Sequence, residues 1–554
     1  MKYSIGIDYG TQNARAVLAE IGSGAIVAST EQSYPHGVME SELPSGKKLG
    51  VDWALQAGDD YYTMLVAAIR DLIDQSHVAP QNIIGIGLDT TSCTIMPLDN
   101  QFEPLSGQNE YRDNPHAYVK MWKHHAAQSH ANRLNKIAQQ ENSGFLKRYG
   151  GKISSEWMIP KIMQVLDEAP EVYDAASCFI EVGDWLVYKL TNRLMKSNVM
   201  AGYKSLWSAS EGYPNEDFFT KLNPKLKDVI AAKLNAPVVT VGNCAGCLSE
   251  DAARDTGLIR QTAVAVAHTD ACVVPAALGM NQAGQMVMSI GTSTCHLLLG
   301  DAEKTVPGIC GVVQDGTLPG FISYEAGQAS VGDIFQWFVQ TAVNAAFQKE
   351  ASDKGLDVYR LLEEKAQALQ AGQSGLVALD WFNGNRSILV DADLSGMILG
   401  LNLHTTPEEI YRALIEATAF GTRKIIKTFE TYGIPVAELF ACGGIAVKSP
   451  LAMQIYADVC QKDIHVSNLT QTSAYASAIY GAAAAGDSRG GHETIAAAVA
   501  AMGNHQRKTY SPNPENTGVY DELFGIYEEM HDFAGITSHA MKKLKAIRKE
   551  MGGA

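Results

Sequence analysis

Asp270 stands at a position where a carboxylate could do chemistry. It follows the apolar stretch Ala263-Val264-Ala265-Val266-Ala267 by way of His268 and Thr269. Such a stretch reads as a buried strand, and ligands of α/β sheets gather outside the carboxyl ends of strands. A carboxylate there can accept the proton of an alcohol that attacks a γ-phosphoryl group. It can equally cap a helix starting at Ala271. His268 reads as a packing residue.

Two glycine turns supply a second chemistry. Residues 3–20 give a strand, a turn at Gly10-Thr11-Gln12-Asn13 and a returning strand, and residues 286–299 repeat this plan around Gly291-Thr292. A tight Gly turn points backbone N–H groups into a small concavity, and Thr, Ser, Gln and Asn add side-chain donors. Such a nest holds phosphate oxygens without a P-loop lysine. Either turn alone is also ordinary hairpin chemistry. The pair suggests two halves on one plan, with a polyphosphate between them. Asp8, just before the first turn, can orient water on Mg²⁺, which takes hard oxygen ligands and keeps several waters. It can also bond its own turn. A third element, Leu439 to Pro450, reads as a buried strand, the turn Gly443-Gly444 and a helix near Pro450, where a flat ligand or a phosphate can approach the backbone. Close helix packing explains the same glycines.

The elements that must hold these residues are alternating strands and helices, an α/β pattern. Thr406-Pro407-Glu408-Glu409 marks the start of a long helix by a capping box with Pro in the first turn. The stretch from Tyr520 to Met551 reads as a peripheral helix or helix pair. The 554 residues carry 44 Lys and Arg against 60 Asp and Glu, a net charge of −16. That balance repels a phosphate backbone, and the basic run Lys542, Lys543, Lys545, Arg548, Lys549 reads as a helix end rather than a nucleic-acid site. No uncharged apolar run approaches the roughly 18 residues of a membrane span. The first residues, Met-Lys-Tyr-Ser-Ile-Gly-Ile-Asp, do not resemble a secretion signal. Nine cysteines, an odd number placed mostly in apolar runs, read as reduced thiols of a cytoplasmic protein. Cys244 and Cys247 have no second pair to complete a zinc site.

Taken together, Gly-Ile-Asp-Tyr-Gly-Thr-Gln-Asn-Ala-Arg, Ser-Ile-Gly-Thr-Ser-Thr-Cys and Gly-Gly-Ile-Ala-Val-Lys resemble, in this order, the FGGY carbohydrate kinases of the actin/hexokinase superfamily. Further stretches at Gly150–Trp157, Ala201–Trp207, Pro319–Gln328 and Leu379–Gly384 are similar to the branch acting on L-ribulose, and the likeness runs from residue 3 to about 485. The resemblance implies two actin-like, ribonuclease H-like domains with a cleft between them. Residues 1–280 would carry the sugar site and first phosphate hairpin, and residues 281–554 the second hairpin, the adenosine site and peripheral helices. It implies ATP and Mg²⁺ as cofactors, and transfer of the γ-phosphoryl group to O5 of the ketose.

By the same resemblance Gly10, Thr11, Gln12 and Asn13 face the phosphates from one side and Gly291 and Thr292 from the other. Gly443, Gly444 and Lys448 line the adenosine. Asp270 is the general base, and Asp8 serves the metal through water. Ser92, Lys204 and Glu325, with Asp270, hold the ketose. On residue type alone Lys204 reads as a snorkelling lysine, Glu325 as the cap of a helix beginning near Ala326, and Ser92 as turn chemistry.

Two departures stand out. Many sugar kinases of the family have Trp-x-Asp-x-Arg, and this chain has Trp122-Lys123-His124-His125-Ala126, which argues against the xylulose and glycerol branches. Tyr475 lies where a glycine is common, which puts the adenosine side in question. The expected partners are a ketopentose and ATP, with no nucleic acid and no membrane, and a homodimer is allowed. The alternatives are a kinase of D-ribulose or of another pentulose or polyol, and an actin- or Hsp70-like ATPase switch.

Overall fold

The computed structural model describes residues 1–503 and 506–551, apart from the side chain of residue 549. Strands β1 (Tyr3–Tyr9), β2 (Asn13–Glu20) and β3 (Ile26–Ser33) form an antiparallel meander. Helix α1 (Gly58–Ser76) leads into β4 (Ile83–Thr90), which pairs parallel to β1. Every residue of β4 is buried, as expected of a parallel strand covered on both faces. Helix α2 (Asn198–Lys204) follows, then β5 (Cys244–Cys247), antiparallel to β6 (Ala263–Ala265). Strand β6 adds to β4 in parallel. The apolar stretch expected to be one strand is broken: the Val266 amide donates to Asn243 O at 3.1 Å. Pairing with β4 resumes in β7 (His268–Thr269), and helix α3 (Asp270–Ala277) starts at once.

The second half begins with β8 (Gln285–Ile290) and β9 (Thr294–Gly300), followed by β10 (Gly311–Gln314) and β11 (Ile322–Gln328). Helix α4 (Pro407–Thr431) starts where its capping signal lies, and Glu409 Oε2 accepts from the Thr406 amide at 2.8 Å. Then come β12 (Glu438–Cys442), α5 (Gly444–Lys448), α6 (Pro450–Cys460), β13 (Ile464–Ser467), α7 (Thr472–Ala485) and β14 (Arg507–Tyr510). Helices α8 (Pro514–Asp532) and α9 (Ala540–Glu550) close the chain, as the helix pair expected.

The two sheets share one plan. The first runs β5-β6-β4-β1-β2-β3, and the second β14-β13-β12-β8-β9-β11 with β10 added outside β11. Each has an antiparallel meander of three strands, two parallel neighbours beyond its first strand, and an antiparallel strand beyond those. The internal likeness around Gly10 and Gly291 is thus the visible part of a repeated topology. The helix anticipated from Ala326 is instead strand β11; its Ala326, Gly327 and Gln328 pair with His296, Cys295 and Thr294. Helix formation is deferred to Gly332.

Helix α7 belongs by sequence to the second half but packs in the first. A Cβ placed on Gly6 of β1 would lie 1.8 Å from Ala474 O, and one on Gly87 of β4 would lie 1.9 Å from Ser477 O. Only glycine at these strand positions lets the helix backbone rest on the sheet. The buried Ala474, Ala478 and Ile479 share a core with Ile5, Ile86 and Leu88.

Candidate active site

Three acids meet at the carboxyl ends of adjacent strands. Asp8 of β1 is in register with Asp89 of β4, and Asp89 with His268 of β7, two residues before Asp270. Asp89 is 0% exposed. Its Oδ2 accepts from Ser477 Oγ of α7 at 2.5 Å, and its carboxyl also shares a hydrogen bond with that of Asp8. Burial, then the Asp8 charge, pushes the Asp89 carboxyl well above the usual range. Burial also raises Asp8, with Asp89 hydrogen bonding and the Arg15 charge acting the other way. The sequence reading missed Asp89, although a carboxylate closing the apolar run Ile83–Leu88 was a usable signal, because acids are seldom fully buried without a partner.

Asp270 is the first residue of α3. Its Oδ1 accepts from the Ala271 amide at 2.8 Å, as an N-terminal helix acid can, and Oδ2 is engaged by no donor among the described residues. Burial, reinforced by the Asp8 charge, pushes its pKa up to about 7, and the Ala271 amide opposes the shift. A carboxyl at that value is poised to take a proton near neutral pH. Ser473 Oγ of α7 donates to the Asp270 backbone oxygen at 3.2 Å. His268 accepts the Thr269 amide at Nδ1 (2.9 Å), so Nε2 carries the proton and donates to Thr317 O in the second half at 3.1 Å.

Lys204 and Glu325 come from different halves and form an ion pair across the cleft, with Nζ to Oε2 at 3.2 Å and side chains 12% and 14% exposed. Burial opposes the Lys204 charge, and Glu325 outweighs it, so the ammonium stays protonated. Both groups lie in the electrostatic field of Asp270. Glu325 stands within strand β11, so its reading as a helix cap is withdrawn. Ser92 is half-buried in the bend between β4 and the strand Ile95–Leu98, and Thr94 Oγ1 donates to its carbonyl at 3.5 Å.

The two glycine turns are both tight hairpins but differ by one residue: the pair Tyr9 and Ala14 closes the first around four residues, and Ile290 and Thr294 close the second around three. Gly10 N donates to Asn13 O and Gly291 N to Ser293 O, both at 2.9 Å. Thr11 Oγ1 accepts from Trp122 Nε1 at 3.1 Å, which gives Trp122 a place beside the first turn. Gln12 is exposed, and the Asn13 side-chain amide is committed to Glu31 at 2.5 Å. Thr292 is exposed, and its carbonyl accepts the Val331 amide at 2.8 Å. Gly443 has φ 94° and lies against the end of β8, where a Cβ would come 2.5 Å from Ile290 O. Gly444 and Lys448 are exposed on α5, a short helix that precedes Pro450 and was not anticipated. Tyr475 is buried, and its hydroxyl is shared between Gly24 O (2.8 Å) and Met502 O (2.6 Å).

Among the described residues, no three or more His, Cys, Asp or Glu groups are arranged to hold a metal directly. The acids at the strand ends nonetheless offer oxygen ligands only, and Asp8 and Asp89 stand side by side in register there. That chemistry fits a hard divalent cation held through water. All nine cysteines are free, including Cys244 and Cys247. No helix among the described residues is long and apolar enough to cross a membrane.

Comparison with known proteins agrees with this geometry. The N-terminal domain of the FGGY family of carbohydrate kinases matches residues 3–279, and its C-terminal domain matches residues 286–485. A ribulokinase of Bacillus licheniformis is 52% identical over 537 residues, 97% of either chain. One of Geobacillus thermodenitrificans is 48% identical, covering 98% of this chain and 97% of its own. Among solved structures, a xylulose kinase from Rhodospirillum rubrum superposes with a TM-score of 0.77 at 20% identity, covering 96% of this chain and 99% of its own, which bears on the fold alone. With repeated sheets, acids at the strand ends and both family domains matched, the chain belongs to the FGGY family of carbohydrate kinases.

Proposed function

We propose that this chain is an ATP-dependent ribulokinase that phosphorylates L-ribulose at O5, giving L-ribulose 5-phosphate and ADP, as L-arabinose catabolism requires. The relatives named ribulokinase support the substrate. The observation that carries the chemistry is Asp270: its Oδ2 is unengaged among the described residues, and it lies in the field of Asp8 on one side and of the Lys204–Glu325 pair on the other.

In this reading Asp270 removes the proton of the terminal hydroxyl as its oxygen attacks the γ-phosphorus in line, and ADP departs. Lys204, Glu325 and Ser92 orient the ketose with Asp270. Gly10, Thr11, Gln12 and Asn13, with Gly291 and Thr292 opposite, donate to the phosphates, and Gly443, Gly444 and Lys448 line the adenosine. Asp8 would hold Mg²⁺ through water, and that ion, when bound, neutralises phosphate charge. Catalysis is chiefly positioning and electrostatic complementarity. Residues 1–280 and 281–554 act as two bodies that close on the substrates and exclude water. We place the enzyme in the cytoplasm.

End-point phosphorylation of the four 2-ketopentoses and their polyols, read by coupled ADP formation and by ³¹P spectra of the product, tests the assignment. L-ribulose is expected to be the best acceptor, with the phosphorus on O5. A preference for D-ribulose would favour the neighbouring kinase reading, and sugar-independent ATP turnover would favour an ATPase switch.

A further inference from the structure

We propose that Arg386 binds the phosphoryl group in transfer, setting its guanidinium on the equatorial oxygens of the γ-phosphate. This rests on the kinase reading above and adds a residue to it.

The place is defined by strand β11. Glu325 and Gly327 share one face of it, and Gly327 is the nearer to the second glycine turn, because it pairs with Cys295 while Glu325 pairs with Leu297. The Arg386 side chain lies over Gly327: a Cβ there would sit 2.9 Å from Arg386 Cδ, 2.9 Å from Thr294 O and 3.4 Å from Arg386 Nη1. The guanidinium thus lies between the Gly291–Ser293 turn and the sugar-side acid Glu325. This is the interval a phosphoryl group crosses when it leaves a nucleotide held by the turn for a sugar held by Glu325.

The guanidinium is half-buried, and among the described residues no hydrogen bond or ion pair engages it. Burial lowers its pKa, and Cys310, Glu156, Glu325 and Cys295 around it more than compensate, so it is charged throughout. A half-buried planar cation without a partner is a poor structural element and a good anion receptor, since its fork matches two phosphate oxygens.

Its support is firm. Asn385 and Asp391 exchange backbone bonds at 2.9 and 2.8 Å and close the loop that carries Arg386. The Gly327 amide donates to Ser387 Oγ at 3.2 Å. On the outside, Lys542 pairs with Asp391 at 2.5 Å and Lys545 with Asp393 at 2.9 Å, so the basic run of α9 pins the loop. A guanidinium held in advance costs little reorganisation when charge develops.

The test compares wild type with R386Q, R386K and R386A in steady-state kinetics with L-ribulose, alongside calorimetric binding of ADP and of the sugar. R386Q is expected to lose roughly a thousandfold in kcat, while both binding constants stay within about threefold. R386K, which keeps a charge but not the fork, should lose at least about tenfold. Added guanidinium ion should restore turnover to R386A and leave wild type unchanged. If R386Q does not fold, the R386K loss and the R386A rescue decide. Normal kcat in R386Q and R386K overturns the assignment, as does a defect confined to the sugar KM, which would make Arg386 a sugar ligand. A wild type that forms no sugar-dependent ADP overturns the kinase reading and this inference with it; a fully active R386Q overturns this inference alone.

Discussion

Ser477 Oγ donates to Asp89 Oδ2 at 2.5 Å, and through that bond a helix of the second half reaches an acid of the first. One turn earlier Ser473 donates to the Asp270 backbone at 3.2 Å. A single face of α7 therefore touches the end of the acid-bearing strand β4 and the acid that starts helix α3. A shift of that helix would move Asp89 and Asp270 together.

Replacing Ser477 by alanine removes a hydrogen-bond donor to a fully buried carboxyl group. The loss expected is about 1–3 kcal/mol of stability, because a buried acceptor is left unmatched. Equilibrium denaturation of S477A against wild type measures it, and an unchanged midpoint would contradict the bond's role.

Lys204 and Glu325 predict a divergence between stability and function. Either K204M or E325Q should cost up to about 3–5 kcal/mol by leaving one buried charge unpaired. The K204M/E325L double variant should regain much of that stability yet bind L-ribulose poorly. Calorimetric titration of the sugar separates the two effects. Sugar affinity retained in the folded double variant would remove both residues from the site.

Asp270 predicts the acid limb of activity. Only the ionised carboxylate takes a proton, so kcat/KM should rise with pH and level off above about 7, the value to which burial and Asp8 push it. D270N should keep ATP and sugar binding and lose at least about a hundredfold in kcat, with that limb abolished. Near-normal turnover in D270N would end its assignment as the base.

His268 predicts part of the acid sensitivity of the fold. Burial holds its pKa down to about 4, against an ordinary 6.5. The unfolded chain therefore binds the proton first, and the contribution is complete above pH 6.5 and lost as pH falls from 6.5 to 4. H268Q retains a donor toward Thr317 and has no such titration. Its denaturation midpoint should vary less with pH over that window than that of wild type, and parallel profiles would refute the account.

Much of this site was readable before any coordinates, because it is built from local signals. The Gly10 and Gly291 turns, the acid after an apolar strand at Asp270 and the capping box at Thr406 each lie within a few consecutive residues. Asp89 was legible in principle and overlooked, since a lone Asp after an apolar run looks like turn chemistry. The stretch from Ile322 to Gln328 was read as leading into a helix at Ala326, yet pairing with β9 on one side and β10 on the other holds it as a strand. Local propensity is a weak prior there, and tertiary pairing overrides it.

The amino-acid order by itself determined the repeated half, the glycine turns and the acids at strand ends, because backbone sterics and hydrophobic periodicity act between near neighbours. Only the tertiary structure decided that α7 lies on β1 and β4, that Lys204 meets Glu325 and that Arg386 lies over Gly327. Those are encounters between segments distant in the chain, and they are selected by the shared burial of surfaces that no single segment displays.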